Sequence, residues 1–279
     1  MRTRCFRIIG SIVLTSWVGT TYFVGSQAQS TPGTLQVPFV GCKSDGQVGP
    51  LDPPKGAASG IKLPAEVANQ VAYYKAEDGF GVLAPRGWHC FSAYGSSGSS
   101  LFVSPEPVSQ KELFNSEWKG FSGPAIQVSL SVDDTSGRFA VARTIARVFP
   151  DRMKFVRGVV SEGIEPASSF PTGPYATDRL QRRGKNIVEF ETPANTAGLG
   201  SQSRLTMNAS PIQGVAILFG EEPSLVQLSM RLPDRDQTVN RAIIEQLEAE
   251  ASGRHGAPGG NRTRDIGFAG YPISVKSIT

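Results

Sequence analysis

The chain has 279 residues, 39% of them hydrophobic and 19% charged, with 28 Lys and Arg against 24 Asp and Glu. Three of the basic residues, Arg2, Arg4 and Arg7, stand in the first 28 positions, and without them 25 basic side chains face 24 acidic ones. The bulk of the chain is therefore close to neutral, and its charge offers nothing to nucleic acid or to an anionic membrane.

Residues 1–28 read as a signal peptide. The three arginines form a positive start, residues 8–24 carry no charge, and the small residues Ser26 and Ala28 precede the expected cut. An uncleaved anchor is the alternative, but it needs about 20 apolar residues, and Gly, Ser and Thr interrupt this stretch. Cleavage implies a periplasmic or secreted protein with no membrane association afterwards. Cys5 leaves with the leader, so Cys42 and Cys90 are the thiols that remain. In an oxidising compartment they are expected to form a disulfide.

Residues 29–60, rich in Gly, Pro and Ser, read as an extended arm without periodic structure. Residues 61–253 are enough for one globular domain. Alternation predicts strands at 88–94 and 100–104, turned by 95–99, and at 126–132, where Ile126, Val128, Leu130 and Val132 face one side and Gln127, Ser129 and Ser131 the other. Residues 175–183 and 186–192 predict a second hairpin around Gly184. Residues 215–219 are apolar throughout, as a central strand covered on both faces would be. Residues 225–232 alternate again, with Val226, Leu228, Met230 and Leu232 inward.

Helices are predicted from a capping box at Ser109 and Glu112, running to Trp118, and over 138–149 and 238–251. The second carries Phe139, Ala142, Ile145, Ala146 and Phe149 on one stripe, with Arg143 and Arg147 opposite. Strands joined by short turns and punctuated by a few helices point to an α+β fold, an antiparallel sheet covered by helices.

Residues 79–88, Gly-Phe-Gly-Val-Leu-Ala-Pro-Arg-Gly-Trp, close a strand on a Pro-x-Gly-Trp turn, and the strand at 225–232 feeds directly into the helix near Thr238. In these features the chain resembles the PsbP-like fold superfamily. The resemblance implies an αβα sandwich, a fold found in accessory proteins of photosynthetic complexes and in exported bacterial proteins. It transfers no catalytic, metal or partner-docking residues.

The sequence carries few signatures of catalytic or metal chemistry. With His89 and His255 the only histidines, no zinc-binding spacing exists, and no nucleotide-binding glycine motif is present, so no metal and no cofactor are expected. His89 and Cys90 are neighbours on a predicted strand and point to opposite faces, which excludes a Cys-His pair within it. Asp133 and Asp134 precede a helix and are read as charge complementing its dipole. The densest basic cluster, residues 179–185, is read as a solvated hairpin.

The leading expectation is a non-enzymatic exported protein that binds a protein or envelope component, with Trp88, His89, Tyr94 and Ser97 as the recognition surface. The rival is a carboxylate-dependent hydrolase using Glu189, Glu191 or Asp178. Residues 254–279 are expected to be disordered. The peptide Gly-Asn-Arg-Thr-Arg-Asp at 260–265 can be encoded antisense to the T-arm of a tRNA gene, so the tail is read as overrun into such a gene.

Overall fold

A computed structural model of the chain describes residues 34–56, 61–233 and 237–255. The expected signal peptide and all but two residues of the expected tail lie outside these.

The described chain runs β1 (Thr34–Gln36), β2 (Phe39–Gly41), β3 (Lys43–Gly46), β4 (Lys62–Pro64), α1 (Ala65–Ala68), β5 (Val71–Lys75), β6 (Val82–Pro85), β7 (His89–Gly95) and β8 (Gly98–Ser104). There follow α2 (Gln110–Leu113), β9 (Ala125–Ser131), α3 (Arg138–Val148), α4 (Met153–Ser161), β10 (Arg179–Arg182), β11 (Ile187–Thr192), β12 (Ile212–Phe219), β13 (Ser224–Arg231) and α5 (Gln237–His255). Eight strands form the main sheet in the order β10-β11-β12-β13-β9-β8-β7-β3. Every pairing in it is antiparallel except β3 with β7. A three-stranded sheet, β2-β5-β6, lies beside the same core, and β1 pairs with β4.

Strand alternation sorts the main sheet's side chains into two environments. Leu101, Val103, Ile126, Val128, Leu130, Val226, Leu228 and Met230 point to one face. There they meet Val239, Ile243 and Leu247 of α5 together with Tyr74 and Leu83 of the small sheet. Helices α3 and α4 cover part of the opposite face, where Val141, Ile145, Val156 and Val159 pack on Val188, Phe190, Ala216 and Leu218. Strand β12 meets both expectations of a central strand, since Val215 and Ile217 belong to the first cluster and Ala216 and Leu218 to the second. The chain is thus an α+β, sheet-rich fold with helices on both faces of the sheet.

Two sequence expectations need correction, and one helix has no counterpart among them. The segment read as an arm contributes β1, β2 and β3, because Val37 and Cys42 supply buried apolar contacts and the strands complete sheet edges that pairing stabilises. Its short strands carry too little alternation for periodicity to show them. The helix opened by the capping box ends at Leu113, not Trp118. Both halves of the box form, but the Asn115 carboxamide accepts from the Glu117 N–H (2.9 Å), a local turn that competes with helix propagation. Helix α4, unassigned from sequence, places Val156 and Val159 inward three residues apart.

Candidate functional site

Helices α3 and α4 leave part of their face of the sheet uncovered, and the side chains there are small and polar. From β8 comes Ser100, from β9 Gln127 and Ser129, and from β13 Gln227 and Ser229. They floor a cleft of about 850 Å³. The residues read from sequence as the wet side of the alternation are this floor. A freely solvated sheet face tolerates long charged side chains; serines leave depth instead.

The floor is hydrogen-bonded along its length. Gln127 Nε2 donates to Ser129 Oγ (2.8 Å), and the Ser129 and Ser100 hydroxyls share a bond of 2.8 Å. Gln127 Oε1 accepts from the Arg204 backbone N–H (2.7 Å), tying the floor to one wall, and Gln227 Nε2 reaches the Leu199 carbonyl at 3.4 Å. Ser229 borders the cleft from β13 and is 1% exposed.

Helix α3 is the opposite wall. Ala140, Arg143, Thr144 and Arg147 follow the spacing that puts side chains on one helical face, and all line the cleft. Gly137 seats the start of that helix on the β7–β8 turn: a Cβ there would run into the carbonyl oxygens of Ser97 and Val132. Arg143 pairs with Glu165 (2.7 Å). Arg147 donates to the Gly173 carbonyl (3.2 Å), with its guanidinium 4.1 Å from the centre of the Tyr175 ring, and Arg204 stands over Trp118. No Asp or Glu lines the cleft among the described residues.

Of the residues expected to form a recognition surface, Tyr94 and Ser97 border the cleft. Tyr94 is buried and donates through its hydroxyl to the Gly49 carbonyl (2.6 Å), while Ser97 is exposed in the turn. Trp88 and His89 stand at the far end of β7, about 20 Å away along the strand. Trp88 is half-buried against the main core, and His89 is exposed. The structure therefore brings together two of the four.

The three candidate carboxylates stand outside the cleft lining, each engaged elsewhere. Glu189 pairs with Arg183 (2.8 Å) and Arg241 (3.3 Å), and Glu191 with Arg179 (2.7 Å) and Gln213 (2.9 Å). Asp178 accepts from the Thr192 hydroxyl (2.7 Å) and the Leu199 N–H (2.8 Å). Asp133 accepts from the Ser224 hydroxyl, and no group of three or more potential metal ligands occurs among the described residues. The His255 side chain lies outside them.

Cys42 and Cys90 form the expected disulfide, with their Cα atoms 5.4 Å apart. Among the described residues no helix is long and apolar enough to cross a membrane.

No local sequence pattern marks the cleft as such. Its signal was present in Gln127, Ser129, Gln227 and Ser229, small neutral polar residues in register on two strands that turn out to be neighbours. Comparison with protein-family models, with curated proteins and with solved structures finds no match for this chain.

Proposed function

We propose that the chain is an exported, non-enzymatic binding protein that holds a small polar ligand from the cell envelope or its surroundings in the cleft between the main sheet and α3. The observation that carries this reading is the floor: five small or neutral polar side chains, on adjacent strands, beneath about 850 Å³ of space. That volume is in the usual range for small-molecule sites, about 300–1,000 Å³. Export is supported by the leader pattern and by a disulfide, a cross-link that persists in oxidising compartments. The PsbP-like relationship belongs to the same proposal, supported by an almost wholly antiparallel sheet with helices on both faces. Hydrolysis by Glu189, Glu191 or Asp178 lacks comparable support, since arginine or backbone partners hold each of them outside the cleft lining.

The test is ligand-observed NMR of the purified protein against a panel of amino acids, sugars, organic acids and nucleosides. The control is Ala140→Trp, which fills the cleft from a half-buried position on the helical wall without altering the sheet. Saturation transfer to at least one compound class, abolished by Ala140→Trp, is the expected result. Signals of equal size in both proteins, or none in either, reject the cleft as a binding site.

A further inference from the structure

Resting on the reading of the cleft as a binding site, the chemistry of its walls narrows the ligand. Among the described residues, three guanidiniums line it and no carboxylate does. Arg143 is neutralised by Glu165. Arg147 has no carboxylate partner among the described residues, and its bond to the Gly173 carbonyl leaves other N–H donors unused. Arg204 is more telling: its exposed guanidinium makes neither an ion pair nor a hydrogen bond among the described residues, and only the face of Trp118, 5.8 Å away, accompanies it. Two planar forks with spare donors match the geometry of a carboxylate or phosphate. Excess positive charge in a concave site also concentrates anions.

The floor asks for something else. Hydroxyls and carboxamides both donate and accept, so the Ser and Gln side chains are satisfied by a ligand that also does both. A small anion such as acetate or inorganic phosphate is mainly an acceptor and too small to span the cleft, and would use the arginines while leaving most of the floor to water. Ligand hydroxyl groups fit the floor, and an oxyanion fits the walls.

We infer that the cleft takes a polyhydroxylated organic anion, a sugar acid or a sugar phosphate, with Arg147 and Arg204 holding the oxyanion and Gln127, Ser129 and Ser100 the hydroxyls.

The experiment is isothermal titration with glucuronate, digalacturonate and glucose 6-phosphate, each beside a neutral parent, glucose or galactobiose, and with inorganic phosphate and acetate. At least one charged sugar binds tenfold or more tighter than its parent, and the carboxylate and phosphate arms separate the two anion types. Arg204→Met, at an exposed side chain with no polar contact among the described residues, reduces that binding about tenfold, the scale of a charge-assisted bond, and leaves the parent's unchanged. Gln127→Leu weakens charged and neutral sugars alike. Near-UV circular dichroism verifies that both variants are folded.

Neutral parents binding as tightly as the acids would remove the anion requirement, and phosphate or acetate matching the sugars would remove the hydroxyl requirement. Silence from every charged sugar, while other compounds give signals sensitive to Ala140→Trp, overturns this inference alone. Silence from both panels overturns the cleft reading as well.

Discussion

Asp78 shows what burial does to a single charge in this fold. The residue is only 7% exposed, and its Oδ2 has no hydrogen-bond donor among the described residues. Loss of hydration disfavours the carboxylate, the neighbouring Glu77 adds repulsion, and the two outweigh Lys75, so the pKa is raised above the ordinary 3.8. A group whose pKa is higher folded than unfolded binds its proton more tightly in the native state. Its favourable contribution is complete below the unfolded value and is lost as pH rises through the folded one. Asp78→Asn removes that dependence. Urea denaturation should show the variant more stable than the wild-type protein at pH 7, with the advantage shrinking toward pH 4. A loss of stability at pH 7 would mean that the ionised carboxylate has a favourable partner. Arg231 is the opposite case of a buried charge. It too is buried, which lowers its pKa, but it donates to the carbonyls of Phe121, Gly123 and Thr206 and so fastens two loops to β13.

At the scale of elements, the loop after β11 depends on a side chain that resembled a catalytic acid in the sequence. Asp178 takes the Thr192 hydroxyl on one oxygen and the Leu199 N–H on the other, and Thr192 Oγ1 in turn accepts from the Gly200 N–H (2.9 Å). Gly198 packs so close to the carboxylate that a Cβ would collide with it. This network sets the loop that carries Leu199, Gln202 and Ser203 to the cleft wall. Asp178→Ala strips the acceptor from a backbone donor and a hydroxyl, at about 1–3 kcal/mol by the usual scale for such losses. Chemical denaturation should register that loss, and hydrogen exchange should quicken at Leu199 and Gly200 before it does in the sheet. Unchanged exchange at those two amides would show that the loop is held by other means. Sequence alone could not separate these roles, because a carboxylate beside a strand looks the same whether it meets substrate or a loop amide. Alternation, by contrast, displayed which side chains of β9 and β13 share a face, and a capping box displayed a helix start. The same patterns could not display that β9 and β13, nearly a hundred residues apart, lie side by side. Nor could they show that α3 stops short of covering the floor between them, since both depend on tertiary pairing and not on local period.

For the whole molecule, the disulfide sits at the joint between two sheets. The chain leaves β2, parallel to β5 in the small sheet, passes through Cys42 alone, and enters β3, parallel to β7 at the edge of the main sheet. Parallel edge strands need long-range closure, and β2 and β3 have only three and four residues each to stabilise it. The bond to Cys90, adjacent to the start of β7, closes a loop spanning 48 residues. The chain-entropy model gives such a bridge roughly 4 kcal/mol through restriction of the unfolded chain. Because Cys42 is 1% exposed and its N–H also donates to the Lys75 carbonyl (2.8 Å), the bridge fixes a point already packed. The double variant Cys42→Ser, Cys90→Ser should therefore lose several kcal/mol in urea. Amide exchange should rise first in β2 and β3, while β9, β12 and β13 stay protected until global unfolding. The cleft floor lies on those protected strands and on β8, so ligand binding by the folded fraction should survive the change. Uniform loss of protection across all strands would instead make the cross-link a clamp on the entire core, and an unchanged denaturation midpoint would assign the joint's stability to pairing alone.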